Sequence, residues 1–214
     1  MKTYQTKFLE FAIQKEVLKF GDFTLKSGRQ SPYFFNAGLF NDGNSLLHLG
    51  RFYAQAILDS DIQFDMLFGP AYKGIPLVAA ISIAFADQHN MNIPFAFNRK
   101  EIKDHGEGGQ LVGAPLSGKI LIVDDVISAG TSVRESVNII NHENAIPAGV
   151  SIALDRQEKG TGELSAISEI KNKFDMPTCS IAKLSELIEF LTTQNNMNNV
   201  VNSIQQYIKQ YGAV

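Results

Sequence analysis

The stretch Ile120-Leu121-Ile122-Val123-Asp124-Asp125-Val126-Ile127-Ser128-Ala129-Gly130-Thr131-Ser132 decides how this chain is read. An apolar run ends in two adjacent acids, and a short loop of small residues follows. Ser132 and Glu135 then have the spacing of a capping box, which predicts a helix from Ser132 to about Asn141. A strand, loop and helix in that order put the loop at the carboxyl end of a strand, where open parallel sheets bind ligands. Small residues from 128 to 132 let backbone N–H groups approach an anion, and the helix N-terminus adds its positive end. The dipole alone contributes only ~0.3–2 kcal/mol. Tight phosphate binding therefore needs several donors together, among them the hydroxyls of Ser128, Thr131 and Ser132. Two carboxylates beside a phosphate pocket would repel the phosphate, so they need a cation or sugar hydroxyls as partners. A phosphorylated sugar satisfies both halves of the site. Either acid alone would be an ordinary strand-end residue; the whole arrangement is not.

Working outward, other phosphate motifs fail. No GxGxxG opens a helix after a strand, and the Gly69 to Gly74 spacing is followed by Ile75-Pro76 where a P-loop needs Lys and Ser or Thr. The flanking sequence alternates. Short apolar runs at Phe64–Phe68, Ile93–Phe97, Ile120–Val123 and Val150–Leu154 are separated by helical stretches at about Ile75–Gln88 and Ser132–Asn141. Such alternation predicts βαβ crossovers and a mainly parallel sheet in an α/β fold. A further strand is expected near Cys179-Ser180-Ile181. Helices are expected at about Ser45–Leu58, Leu184–Leu191 and Met197–Tyr211, with a solvated loop over Thr192–Asn199.

Near the N-terminus, Phe8, Leu9, Ala12, Ile13, Val17 and Phe20 share one helical face until Gly21, which predicts a single amphipathic helix. From Phe23 to Phe40 the composition favours one or two short strands, with a polar turn at Lys26-Ser27-Gly28-Arg29. The segment Asn98–Gly118 lacks a hydrophobic period. It carries Arg99, Lys100, Lys103 and His105, then Gly106, Gly108, Gly109 and Gly113, and is expected to be a long mobile loop. Cations on a glycine-rich loop suit an anionic ligand that is covered and later released. The bland alternative is a solvated loop whose Glu101, Asp104 and Glu107 cancel the charge.

Composition narrows the function classes. The chain of 214 residues, 44% hydrophobic, suits one sizeable α/β domain. A formal net charge of −3 argues against a general nucleic-acid or membrane-surface binder. Cys179 is the single cysteine, so no intramolecular disulfide forms, and a buried thiol in a reducing compartment is expected. Glu10, Gln14 and Glu16 interrupt the place where a signal peptide would need its apolar core. The most apolar run, Ile75–Ala86, is well short of the ~20 residues that span a bilayer. A cytoplasmic location is the expectation. His48, His89 and His142 show no metal-ligand spacing and read as structural or surface residues.

The segment Val123–Thr131 resembles the phosphoribosyl pyrophosphate signature of type I phosphoribosyltransferases. Further matches are Leu25-Lys26-Ser27-Gly28-Arg29, Ser31-Pro32-Tyr33-Phe34-Phe35-Asn36 and Gly69-Pro70-Ala71-Tyr72-Lys73-Gly74. Asn98-Arg99-Lys100-Glu101, Lys103-Asp104-His105-Gly106-Glu107-Gly108 and Leu154-Asp155-Arg156-Gln157-Glu158 complete the series. In this order they resemble the orotate phosphoribosyltransferases of that family, from near the N-terminus to about residue 160. Ser128 departs from the more usual Thr, keeping the hydroxyl and losing a methyl contact.

The resemblance implies one phosphoribosyltransferase domain over 1–214, with a small hood from about 1–40 and a flexible active-site loop at about 98–118. It implies that Asp124, Asp125, Val126, Ile127, Ser128, Ala129, Gly130, Thr131 and Ser132 hold the ribose 5-phosphate part, with Asp124 and Asp125 on the ribose hydroxyls. Tyr72, Lys73, Arg99, Lys100, Lys103 and His105 would hold the pyrophosphate, Lys26 reaching the same substrate. Orotate would meet Lys26, Phe34, Phe35, Ser128 and Arg156. Lys103, Asp124 and Asp125 are the implied catalytic residues. Mg²⁺ is the implied cofactor, held mainly by substrate oxygens and water rather than by protein ligands. A homodimer that shares loop residues across subunits is implied, with no nucleic-acid or membrane partner. A purine phosphoribosyltransferase would share residues 124–132 but not the Phe34-Phe35 and Arg156 segments. A nucleic-acid-binding regulator on the same fold is disfavoured by the acidic balance and the lysine-bearing loop.

Overall fold

The computed structural model describes residues 1–25, 27–103, 109–127, 130–160, 162 and 164–213, without the side chains of 102, 103 and 109. Its centre is a six-stranded sheet. In chain order its strands are β3 (Met66–Gly69), β4 (Phe95–Lys103), β5 (Gly109–Gly113), β6 (Lys119–Val123), β7 (Ile146–Asp155) and β8 (Thr178–Lys183). They lie in the order β5-β4-β3-β6-β7-β8, and only the β4–β5 pair is antiparallel.

The apolar runs are interior strands buried on both faces, which is why they read as continuous rather than alternating. Along β6, Leu121 and Val123 enter one core while Ile120 and Ile122 enter the other. The first core also receives Leu49, Tyr53 and Ile57 of α2 (Gly43–Leu58) and Leu77, Val78, Ile81 and Phe85 of α3 (Gly74–His89). The second receives Val133, Val137 and Ile140 of α4 (Thr131–His142) and Ile170 of α5 (Ala166–Phe174). Asp42 caps α2 by accepting the Ser45 N–H at 2.7 Å. Pro76 sits in the first turn of α3, where its missing N–H has no intrahelical role.

A second, two-stranded sheet pairs β1 (Leu18–Thr24) with β2 (Gln30–Phe35) antiparallel. It follows α1 (Thr3–Gln14) and joins the first core through Leu18, Tyr33 and Phe35. Two C-terminal helices, α6 (Leu184–Thr192) and α7 (Asn198–Tyr211), close the same side, and Tyr207 of α7 meets Tyr33 edge-on at 6.2 Å.

Four expectations change. The N-terminal helix stops at Gln14, not Phe20, because Glu16 takes φ 56° and Leu18–Phe20 pair with Tyr33–Phe35. Val17 and Phe20 keep the apolar spacing as parts of a strand and its approach. Much of the long loop at 98–118 is instead a hairpin arm. β4 runs on to Lys103 and pairs with β5, so backbone hydrogen bonds stand in for the missing hydrophobic period. The expectation at 104–108 lies outside the described residues. Ser132 does not cap α4, which starts at Thr131 after Gly130, because its hydroxyl is turned to Asp124. Finally, α5 was not anticipated. Its cap is Ser165, which accepts the Ser168 N–H at 3.0 Å.

Candidate active site

The parallel neighbours β3, β6 and β7 bring three strand ends together, and each feeds a loop with polar residues. The chain leaves β3 towards β4 on one side, whereas β6 and β7 extend the sheet on the other, so a topological switch point lies between β3 and β6. The loop after β3 is closed by glycine. A Cβ on Gly69 would lie 2.3 Å from the Gly74 carbonyl oxygen, so only bare backbones approach this closely. Within this loop the Ala71–Tyr72 peptide is cis, and the Ala71 N–H donates to Asn98 Oδ1 at 2.9 Å.

Across the switch point, Lys73 Nζ lies 2.5 Å from Asp125 Oδ2. The Asp125 side chain is 7% exposed, whereas that of Lys73 is 57% exposed, so the cation remains reachable from solvent. The other Asp125 oxygen accepts the Val126 N–H at 2.9 Å. Asp124 is held differently. Ser132 donates to its Oδ2 at 2.7 Å, the Asp125 N–H donates to Oδ1 at 2.9 Å, and the Tyr53 hydroxyl donates to its carbonyl oxygen at 2.7 Å. Burial and then the neighbouring Asp125 charge push the Asp124 pKa up to about 6, with Ser132 pulling against them.

Two cavities adjoin these loops. The smaller, about 210 Å³, is lined by Asp124, Val126, Ile127, Gly130, Thr131, Ser132 and Val133. It sits at the N-terminus of α4, where Gly130 takes φ 65° and backbone N–H groups lack helical partners. The larger, about 510 Å³, includes Phe34, Phe35, Lys73, Val126, Ile127 and Arg156 in its wall. Val126 and Ile127 line both, so the two cavities lie side by side across a shared wall. Phe34 is 38% exposed and stacks on Phe23 at 5.6 Å, while Phe35 is 7% exposed and belongs to the core as well as the cavity wall.

Arg156 follows β7 into a half-buried cluster. Its Nε donates to Glu158 Oε1 at 2.9 Å, and its guanidinium lies 4.7 Å above the Tyr33 ring. Burial opposes its charge, but Tyr33 and Glu158 outweigh burial and its pKa is raised. Glu158 also accepts the Tyr33 hydroxyl at 3.0 Å and pairs with Arg29 at 3.6 Å.

Of the residues expected from sequence, the structure brings Phe34, Phe35, Lys73, Val126, Ile127 and Arg156 to one cavity, and Asp124, Gly130, Thr131 and Ser132, again with Val126 and Ile127, to its neighbour. Asp125, Tyr72, Arg99 and Lys100 line neither. Instead Lys100 Nζ lies 5.1 Å above the Tyr72 ring on the arm side of the β3 loop. Lys26, His105, Ser128, Ala129 and the Lys103 side chain lie outside the described residues. Tyr33, Tyr53, Asn98 and Glu158 were given no role from sequence. Glu158 and Tyr33 stand within matching segments, but the contacts of Tyr33 with Glu158 and Arg156 cross more than a hundred residues of chain and have no local signature. Among the described residues, no three or more His, Cys, Asp or Glu side chains gather to hold a metal, and no helix is long and apolar enough to cross a membrane.

Comparison with known proteins agrees with this geometry. The family profile "Phosphoribosyl transferase domain" matches residues 38–173. The chain is 60% identical to orotate phosphoribosyltransferase of Thioalkalivibrio sulfidiphilus over 99% of this chain and 100% of that protein. It is 58% identical, with the same coverage, to the protein of that name from Pseudomonas aeruginosa. The crystal structure of orotate phosphoribosyltransferase from Francisella tularensis superposes with a TM-score of 0.88 at 46% identity, covering 97% of this chain and 100% of that one. The chain belongs to the phosphoribosyltransferase family, among its orotate phosphoribosyltransferases.

Proposed function

We propose that the chain transfers the 5-phosphoribosyl group of phosphoribosyl pyrophosphate to orotate, giving orotidine 5'-phosphate and pyrophosphate as a step in pyrimidine synthesis. The observation that carries this reading is the pair of adjacent cavities, a helix-terminal pocket that shares Val126 and Ile127 with a larger cavity lined by Arg156 and Phe34. The smaller pocket suits a phosphate and the larger a planar anion.

Roles follow from the groups in place. The loop from Asp124 to Ser132 takes the ribose 5-phosphate, with Asp124 and Asp125 facing the ribose hydroxyls. Lys73 and Tyr72, with Arg99, Lys100, Lys103 and His105 from the arm, hold the pyrophosphate. Phe34 and Phe35 pack against the pyrimidine, Arg156 takes its carboxylate or carbonyl edge through a planar fork, and Lys26 and Ser128 complete the contacts. Orotate N1 attacks the anomeric carbon as pyrophosphate departs, through a transition state with oxocarbenium character. No side-chain nucleophile is required. Aligning the two substrates supplies up to ~7–11 kcal/mol, and cations preorganised around the leaving group add to it.

Mg²⁺ fits as a substrate-borne ion. Both Asp124 oxygens already accept protein hydrogen bonds and Asp125 is paired with Lys73, so the two acids offer no open octahedral set. When bound, the ion neutralises charge on the pyrophosphate oxygens; Asp124 and Asp125 would meet it through ribose hydroxyls or its waters.

The whole chain forms one domain in this reading, and it acts as a homodimer. The placement of Arg99 and Lys100 on the hairpin arm, outside both cavity walls, is compatible with an arm that serves the neighbouring subunit's site. A single half-buried thiol is compatible with the cytoplasm. A competition assay tests the substrate assignment. With phosphoribosyl pyrophosphate and Mg²⁺, orotate should be consumed unaffected by adenine or hypoxanthine; consumption of either purine instead would overturn the reading.

A further inference from the structure

Arg156 is not simply an arginine at a strand end. Its Nε donates to Glu158 Oε1 at 2.9 Å. Its Nη2 lies 2.7 Å from the same oxygen as an ion pair, but is buried without an aligned hydrogen bond. The guanidinium face rests on Tyr33, at 4.7 Å from the ring centroid. One carboxylate therefore takes up one edge of the fork and leaves donor capacity for a ligand in the cavity that Arg156 lines.

Glu158 is itself fixed from several directions. The Tyr33 hydroxyl, from β2, donates to Oε1 at 3.0 Å, and Arg29 Nη1 lies 3.6 Å from Oε2. Arg29 also donates to the Lys159 carbonyl at 3.1 Å and lies 5.1 Å above the Tyr211 ring. The backbone around Glu158 is pinned by the C-terminal segment. Lys159 N–H donates to the Tyr211 carbonyl at 2.9 Å, Ala213 N–H donates to the Gln157 carbonyl at 3.0 Å, and Glu158 bridges to Gly212. The Glu158 side chain is only 12% exposed. A buried carboxylate is retained where its partners satisfy it, and here two guanidiniums and a phenol do so.

We infer that Glu158 is a positioning residue for orotate specificity, holding Arg156 in the one orientation that meets the substrate carboxylate, with Tyr33 and the C-terminal segment Tyr211–Ala213 holding Glu158. This rests on the assignment of Arg156 to orotate made above. Charge supports it as well as geometry. Arg29, Arg156 and Glu158 together carry one net positive charge, which matches a substrate with one carboxylate. Without Glu158, two guanidiniums would share the cluster unopposed and Arg156 would lose its fixed edge. Displacing such a clamp by about 1 Å is enough to cost ~10²-fold.

The test compares Glu158→Gln and the milder Tyr33→Phe with the parent in steady-state kinetics, using orotate and uracil, its analogue without the carboxylate, as acceptors. Both variants should raise KM for orotate, by roughly tenfold to a hundredfold in Glu158→Gln and less in Tyr33→Phe. KM for phosphoribosyl pyrophosphate should stay within about twofold, and the preference for orotate over uracil should shrink in parallel. Equal rises in both KM values, or an unchanged orotate-to-uracil ratio, would show a merely structural role and overturn the inference. Arg156→Ala separates the two layers. If it raises KM for orotate while Glu158→Gln does not, the positioning role fails alone. If Arg156→Ala leaves orotate binding intact, the assignment of Arg156 fails first, and the inference with it.

Discussion

Lys73 and Asp125 meet at 2.5 Å across the gap between the ends of β3 and β6, joining the two loops that flank the switch point of the sheet. The lysine is more than half exposed and the aspartate nearly enclosed, so the pair is a poised cation on a fixed acid rather than a stabilising buried bridge. Lys73→Ala should lower kcat/KM for phosphoribosyl pyrophosphate by about 10²-fold, the usual effect of removing a preorganised charge donor. The melting temperature should move by only a few degrees. Unchanged kinetics would separate Lys73 from the pyrophosphate.

Asp124 gives a pH signature. Its pKa is raised to about 6 by burial and by Asp125, so the folded state holds the proton more tightly than the unfolded chain. The stability this adds is fully present below the ordinary aspartate value near 3.8 and is lost as pH rises through about 6. In the proposed role Asp124 meets the ribose hydroxyls in its ionised form, so kcat/KM should fall as pH drops through the same region. Ser132→Ala removes a hydrogen bond that lowers this pKa and should move the acid limb to higher pH. A limb that stays in place, measured in parallel with the parent, would detach it from Asp124.

Lys103 ends β4 on the arm, and its proposed role is in the rate of the reaction rather than in binding. Lys103→Ala should lower turnover by about 10²–10³-fold while leaving orotate affinity nearly unchanged. Equal losses in both would remove it from the leaving-group site.

The proposed sharing of sites between subunits is tested by complementation. Lys103→Ala and Arg156→Ala are each expected to be nearly inactive. Randomly reassorted, they should regain roughly a quarter of parent activity, because half the dimers carry one site free of both changes. No recovery would mean that the arm serves its own subunit.

The β3 loop depends on two touching glycines. Gly69→Ala would place a methyl 2.3 Å from the Gly74 carbonyl oxygen, and Gly74→Ala one 2.6 Å from the Gly69 carbonyl carbon. Each should cost about 1–3 kcal/mol in chemical denaturation and raise KM for the sugar diphosphate. A variant as stable as the parent would show that the loop can open without penalty.

What was legible in the sequence followed local physics. Ile120–Val123 announced an interior strand because its neighbours on both faces are apolar, and the acids and small residues after it announced a ligand loop. The hairpin arm was hidden because Asn98–Lys103 pairs through backbone and has no apolar face to alternate. The overlong first helix arose because Val17 and Phe20 serve a strand and its approach at a spacing that also fits a helix. Helix α5 has local signals too, with Ser165 as cap and Ile167, Ile170 and Phe174 at helical spacing, but it is short and follows a polar stretch. At the site, Asp124, Lys73 and Arg156 stand at strand ends and could be placed from order alone. Glu158 could not, because what makes it matter is Tyr33 and Arg29, brought to it from β2 and the turn before it.

The central claim is tested most directly by following orotate absorbance with purified protein, phosphoribosyl pyrophosphate and Mg²⁺, with and without inorganic pyrophosphatase. Loss of absorbance that requires both the sugar diphosphate and the metal, and goes further towards completion when pyrophosphate is removed, is the expected result. Folded protein that binds phosphoribosyl pyrophosphate yet leaves orotate untouched would contradict the account.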